Sequence, residues 1–149
     1  MINEKWDRRF LDLAFLVATW SKDPVRKVGA ALIRPDKSVA SVGFNGFPAA
    51  MLDRGERYAD QTVKRSRIIH AEVNCLLFLR ERAVGYTLYL WPYLSCDRCA
   101  VQLIQAGVAR VVAPVAPHGT SPEGAVMREL ARDYFSEAGV IVIELEAQP

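Results

Sequence analysis

The chain has 149 residues, a net charge of +2, and 24% charged against 51% hydrophobic side chains. That length fits a single domain over residues 1–149 with a sizeable core, and the near balance of 19 basic and 17 acidic residues is too weak a bias to imply a nucleic-acid partner. No apolar run reaches membrane-spanning length, the mixed charges of Met1-Ile2-Asn3-Glu4-Lys5-Trp6 do not read as a signal peptide, and three cysteines, two of them in a Cys-x-x-Cys, suit a reducing cytoplasm and metal ligation better than a disulfide scaffold.

The first periodic segment covers residues 4–20, where Trp6, Phe10, Leu13, Ala14 and Val17 recur at helical spacing and Pro24 marks a stop soon after. Residues 28–33 read as a strand, Pro35-Asp36-Lys37-Ser38 as a turn, and residues 39–43 as the antiparallel return. From 44 to 67 the periodicity is poor. Gly43-Phe44-Asn45-Gly46-Phe47-Pro48 is rich in turn-forming residues, and the stretch after it is expected to be a functional loop or a short irregular helix.

A helix is expected from residue 69 or 70 to 82, burying some of Val73, Leu76, Leu77 and the stem of Arg80. A strand at 87–91, a helix at 97–107 ending on a glycine, and a strand within 108–115 follow. Ser121-Pro122-Glu123 supplies a cap, a first-turn proline and a favourable acidic charge, so a helix should run from there to about Ala138. Gly139 ends it before a strand at 140–145, and Ala147-Gln148-Pro149 is expected to fray. The runs at 110–113 and 140–143 read as covered on both faces, which favours a three-layer α/β/α arrangement around a mixed sheet.

Two short stretches carry the chemistry. Arg67-Ile68-Ile69-His70-Ala71-Glu72-Val73-Asn74-Cys75 sets a carboxylate two residues after an imidazole, and Ser95-Cys96-Asp97-Arg98-Cys99-Ala100 sets two thiols three residues apart. One imidazole and two thiolates are borderline-soft donors that suit Zn²⁺ and leave a fourth tetrahedral position for water. Both motifs fall at predicted helix starts, where unpaired backbone N–H groups and the positive dipole end favour a thiolate. Taken alone, Cys-x-x-Cys also fits a redox pair or half of a structural zinc site. Cys75 reads as a small buried apolar side chain, and His118 as a histidine of a proline-rich surface loop.

His-x-Glu followed by Ser-Cys-x-x-Cys resembles the signature of the zinc-dependent cytidine/deoxycytidylate deaminase superfamily, and the similarity covers residues 13–115 well. It implies the cytidine-deaminase-like α/β/α fold with a mixed sheet of about five strands, zinc held by His70, Cys96 and Cys99, and Glu72 as the proton shuttle. Ser95 stands where the family usually carries proline. The connection Trp91-Pro92-Tyr93-Leu94-Ser95 is one residue longer than usual.

Ser21-Lys22-Asp23-Pro24, Lys27-Val28-Gly29-Ala30 and Gly43-Phe44-Asn45-Gly46-Phe47-Pro48 are similar to the corresponding stretches of deoxycytidylate deaminases. That resemblance implies hydrolysis of deoxycytidylate to deoxyuridylate, a sugar contact for Asn45, and a homo-oligomer. A nucleotide would need cations near the mouth of the site, and Arg26, Lys27, Arg65 and Arg67 are the candidates. A turn role for Asn45 and a solvated-face role for each cation stay open. So do a deaminase of a nucleoside, free base or other aminated heterocycle, with Ser95, Trp91 and Tyr93 reshaping its pocket, and a non-catalytic zinc-stabilised interaction or nucleic-acid module. The last would have no need of Glu72.

Overall fold

The computed structural model describes residues 3–146; the fraying expected at residues 147–149 lies outside them. Five strands, β1 (Gly29–Ile33), β2 (Val39–Phe44), β3 (Thr87–Trp91), β4 (Arg110–Pro114) and β5 (Ile141–Leu145), form one sheet in the order β2-β1-β3-β4-β5. β1 runs antiparallel to β2 and β3, whereas β3, β4 and β5 are parallel, giving the mixed sheet that the sequence pattern implies.

Period-2 alternation sends the strand side chains into two cores. Ala31, Ile33, Tyr89, Val112 and Ile143 pack under helix α1 (Glu4–Ala18) with Phe10, Leu11 and Ala14. Ala30, Leu32, Leu88, Leu90, Val111 and Ala113 face the opposite layer, where Cys75, Leu103 and Phe135 meet them. Those three residues belong to helices α4 (Ala71–Leu77), α5 (Asp97–Ala106) and α6 (Pro122–Glu137). The expectation that residues 140–143 are covered on both faces holds in part: Val142 packs against one core and Ile143 belongs to the other, while Ile141, at the start of the edge strand β5, is exposed.

Tertiary context fills in one expectation and corrects another. The poorly periodic stretch holds two short helices, α2 (Glu56–Ala59) and α3 (Gln61–Arg67). α3 starts where the Asp60 carboxylate accepts from Thr62 and Val63 N–H at 2.9 and 3.1 Å, and α2 is anchored by Tyr58 stacked on Phe47 at 4.2 Å between ring centroids. α4, in contrast, stops at Leu77 rather than at residue 82. Leu77 and Phe78 are already exposed, and Arg80, Glu81 and Arg82 offer no side chain for the core. The backbone unwinds so that Ala83 can be buried and the chain can re-enter the sheet at β3.

Both helical layers sit unusually close to the sheet at one point each. A Cβ on Gly29 would lie 2.0 Å from the Ala14 carbonyl oxygen, and one on Gly43 would lie 2.5 Å from both the Ala71 oxygen and the Cys75 nitrogen. Only glycine permits these approaches. The first fixes α1 on β1, and the second fixes α4 on β2.

One buried ion pair ties α1 to the sheet. Asp7, 1% exposed, accepts from Arg110 Nη1 and Nη2 at 2.9 and 2.7 Å and from the Tyr89 hydroxyl at 2.8 Å. Burial alone would raise the Asp7 pKa, but the hydrogen bonds from Arg110 and Tyr89 overcome it and hold the carboxyl below its ordinary 3.8. The stabilisation is therefore complete above that ordinary value and is lost as pH falls through the lower folded value. Asp7→Ala strands the Arg110 charge and should cost about 3–5 kcal/mol in urea unfolding at neutral pH, whereas adding Arg110→Met should recover part of the loss. Equal stability of Asp7→Ala and the native chain would show that the pair contributes nothing.

Candidate active site

His70 is the N-cap residue of α4 and Cys96 the N-cap residue of α5, both in extended conformation and neither spending its side chain on capping. Their side chains are free to point outward at the two helix starts. The imidazole Nδ1 lies 3.2 Å from Cys99 Sγ and 3.6 Å from Cys96 Sγ, and the donor atoms of His70, Cys96 and Cys99 all lie within 4.8 Å of one another. Glu72, 5% exposed, occupies the first turn of α4, one step inward from His70. Cys75 is buried in the core below, its thiol pushed up to about 12 by burial, and takes no part in the cluster.

The two neighbouring stretches hold α4 in register. Gly46 and Ile69 exchange backbone hydrogen bonds at 3.1 and 2.8 Å just before His70, and Asn74 Nδ2 donates to the Phe44 oxygen at 2.8 Å. The far end of β2 is thus pinned to both sides of the turn that bears His70 and Glu72.

The electrostatics of the cluster are those of donors competing for charge. A hydrogen bond with Cys99, opposed by burial, and a further one with His70 hold the Cys96 thiol down to about 4. The Cys96 sulfur and burial together push the Cys99 thiol far upward. His70 is raised by its hydrogen bond to Cys96, with burial opposing and the charge of Glu72 assisting. Burial raises Glu72 above the ordinary carboxylate range, against the pull of its own backbone N–H and of His70. A divalent cation deprotonates a coordinating thiol outright, and the set of one nitrogen and two sulfurs matches zinc in type and leaves a position open.

His70, Glu72 and Cys96 form the floor of a pocket of about 550 Å³, with Cys99 buried beside them. Asp23, Arg26, Asn45, Lys64, Arg65, Tyr93 and Leu94 are among its walls. Of the cations singled out from sequence, Arg26 and Arg65 line the pocket and are exposed. Lys27 and Arg67 do not line it. The Lys27 ammonium donates to the Ser21 carbonyl and Arg67 Nη1 to the Val63 carbonyl. Lys64 reaches the pocket wall but is engaged by Asp23 at 2.6 Å.

Asn45 lines the pocket while its amide is committed to the backbone. Its Oδ1 accepts from Val28 N–H at 2.9 Å, and its Nδ2 donates to the Arg26 oxygen at 2.8 Å and to Asp23 at 3.4 Å. The residue clamps the 23–28 loop to the end of β2. Trp91 lies in the other core, edge-on to Phe15 at 4.9 Å, so only Tyr93 of the aromatic pair faces the pocket. The Trp91–Pro92 peptide is cis, and Ser95 is buried with no hydrogen-bond partner for its hydroxyl among the described residues. Met127 of α6 also lines the pocket; nothing in the local pattern of that amphipathic helix distinguishes it.

An imidazole, two thiols and a buried carboxyl in one pocket are the equipment of a metal-dependent hydrolase. The cytidine and deoxycytidylate deaminase zinc-binding region matches residues 4–115. Similar chains include an uncharacterized deaminase of Aliivibrio fischeri, 33% identical over 93% of this chain and 92% of that one. Human deoxycytidylate deaminase is 31% identical over 91% of this chain and 77% of its own length. The dCMP deaminase of cyanophage S-TIM5 superposes with a TM-score of 0.75 over 97% of this chain and 100% of that chain; at 22% identity it speaks to the fold alone. The protein belongs to the zinc-binding cytidine and deoxycytidylate deaminase family.

The donor geometry yields a test that does not depend on turnover. Purified protein should contain about one zinc per chain, and Cys96→Ala or Cys99→Ala should lower that content severely, because two protein donors cannot complete the site. Elemental analysis measures it. Full zinc occupancy in either folded variant would remove that cysteine from the ligand set.

Proposed function

We propose that the protein hydrolyses deoxycytidylate to deoxyuridylate and ammonia, with His70, Cys96 and Cys99 as zinc ligands and Glu72 as the proton shuttle. The observation that carries the reading is the buried Glu72 carboxyl two residues from His70, in the same pocket of about 550 Å³ as the cluster of three metal-type donors. The similarity to deoxycytidylate deaminases along most of the chain supports this substrate.

Zinc supplies the Lewis acidity that makes water a nucleophile at neutral pH. Glu72 accepts the proton that water loses as its oxygen bonds to C4 of the cytosine ring, and donates it to ring N3. The second proton of that oxygen returns through the same carboxylate to the exocyclic nitrogen, the C4–N bond breaks, and ammonia leaves as the carbonyl forms. Burial serves these transfers twice. It raises the carboxyl above its ordinary range, which favours handing the proton on, and it keeps bulk water from short-circuiting the shuttle.

Arg26 and Arg65, exposed on the pocket wall and without a carboxylate partner among the described residues, supply positive charge for the 5′-phosphate. Asn45 acts on the sugar end by fixing the 23–28 loop, and its carbonyl and amide are spent on that clamp. The reduced thiols suit a cytoplasmic enzyme. Exposed Trp20, Leu77 and Phe78 around a second concavity support a homo-oligomer.

Glu72→Gln should keep zinc and fold yet lose at least about a hundredfold in kcat on deoxycytidylate, since the amide cannot take the proton. Native-like turnover by a zinc-replete variant would remove Glu72 from the shuttle. The native enzyme should prefer deoxycytidylate over deoxycytidine by about tenfold to a hundredfold in kcat/KM, the range a charge-assisted phosphate contact supplies. Equal values for the two substrates would overturn the nucleotide assignment.

A further inference from the structure

Among the described residues most arginines that leave solvent pair with a carboxylate, while the half-buried Arg67 is held by the Val63 carbonyl and the Ser66 hydroxyl. Arg110 holds Asp7, and Arg132 holds Glu144 through two hydrogen bonds of 2.8 Å. Arg128 on α6 is more buried than either, at 5% exposure, and no carboxylate pairs with it among the described residues. Its one side-chain hydrogen bond runs from Nη2 to the Thr120 hydroxyl at 2.7 Å. A buried guanidinium without a counter-charge is costly. The Thr120 hydroxyl and the face of an aromatic ring offset part of that cost, and neither carries a negative charge.

The Arg128 guanidinium carbon sits 4.7 Å from the centroid of the Tyr93 ring, and that of Arg26 sits 5.9 Å from the same ring. Tyr93 and Arg26 both line the pocket above His70, as does Met127, the residue before Arg128. Two guanidinium groups against one aromatic ring add the charge of Arg128 next to the stretch of pocket wall formed by Tyr93 and Arg26. The seat is also shaped for the guanidinium. Gly124, one turn earlier on α6, would bring a Cβ to 3.2 Å of Arg128 Nη1 and 3.0 Å of Ser121 Oγ, so a side chain there would crowd it.

We infer that Arg128, Tyr93 and Arg26 form the anion receptor of the active site and set its preference for a 5′-phosphorylated substrate. Arg26 is the contact group at the rim, Tyr93 the wall that aligns it, and Arg128 a positioning residue whose buried charge raises the potential there. This rests on the nucleotide reading of the pocket and assigns a role to a helix that carries none of the zinc-site motif. The connection between β3 and Cys96 carries Tyr93 to α6, where its ring meets Arg128.

The test uses zinc-loaded protein and three variants, Arg128→Met, Arg128→Lys and Tyr93→Leu, each checked for zinc content and melting temperature. The ratio of kcat/KM for deoxycytidylate to that for deoxycytidine should fall at least about tenfold in Arg128→Met, through KM for the nucleotide. It should fall less in Arg128→Lys, which keeps the charge but loses the planar stack. Tyr93→Leu should lower it with both arginines intact. In parallel, calorimetric titration with inorganic phosphate should show binding to the native protein that weakens in the same order. If Arg128→Met does not fold, Arg128→Lys and Tyr93→Leu decide. A ratio and a phosphate affinity unchanged in every folded variant overturn the receptor while leaving a deoxycytidylate deaminase standing. A native enzyme inactive on both substrates, yet binding phosphate in an Arg128-dependent way, overturns the substrate reading and supports the receptor.

Discussion

Helix α4 can deliver His70 and Glu72 to the cysteines only because β2 carries no side chain at residue 43. The Ala71 oxygen and the Cys75 nitrogen both press into the space that a Cβ would fill. This contact sets the depth of the first catalytic turn relative to the sheet. The depth of the second follows from α5, whose buried Cys99, Ala100 and Leu103 lie on the same face of the sheet. With both helices seated on one layer, their N-terminal ends open side by side. Two N-caps that would otherwise be filled by serine or aspartate are given to donors for a metal.

That arrangement concentrates acidic groups, and the concentration defines what the site needs. Glu72, Cys96 and Cys99 crowd one small volume, where hydrogen bonding holds the Cys96 thiol down while its sulfur and burial push the Cys99 thiol up and burial raises Glu72. Like charges that close cannot all ionise without a cation. A divalent ion held by His70, Cys96 and Cys99 would favour both thiolates and would draw the buried carboxyl toward its charged form. The chemistry is therefore held by a rigid floor, and the sheet and two helix starts determine it.

The floor was legible in the sequence because its determinants are local. His-x-Glu and Cys-x-x-Cys are short, each begins a helix, and the strand between them is an uninterrupted apolar run. The hairpin of β1 and β2 and the Ser121-Pro122 start of α6 were readable for the same reason: turn and cap residues act within four positions of themselves. What was not legible depends on distant partners. The early end of α4 is a demand of the return to β3, against a sequence with good helix formers through Arg82. The cap at Asp60 is a local signal that the poor periodicity around it masked. Neither the engagement of Lys27 and Arg67 with backbone carbonyls nor the burial of Arg128 leaves any trace in the spacing of charges, since a solvated arginine and a buried one look alike in a helix such as α6.

The rim is a different kind of structure from the floor, and the difference bears on how specificity is built. Its parts come from separate pieces of chain: the 23–28 loop, α3, the connection after β3, and α6. They are joined by polar contacts rather than by the core. Asp23 is the hub. It binds Lys64 of α3 at 2.6 Å, accepts from Val25 and Arg26 N–H, and reaches Asn45, so the loop that bears Arg26 is tethered to both α3 and β2. Burial would raise the Asp23 pKa, but Lys64 and the two backbone donors hold it below the ordinary value, so the tether remains charged throughout the neutral range. The rim can therefore exchange residues, and with them the substrate group it recognises, without disturbing the sheet that carries His70, Glu72 and the two cysteines. A change of floor would cost the reaction; a change of rim would change the molecule on which it is performed.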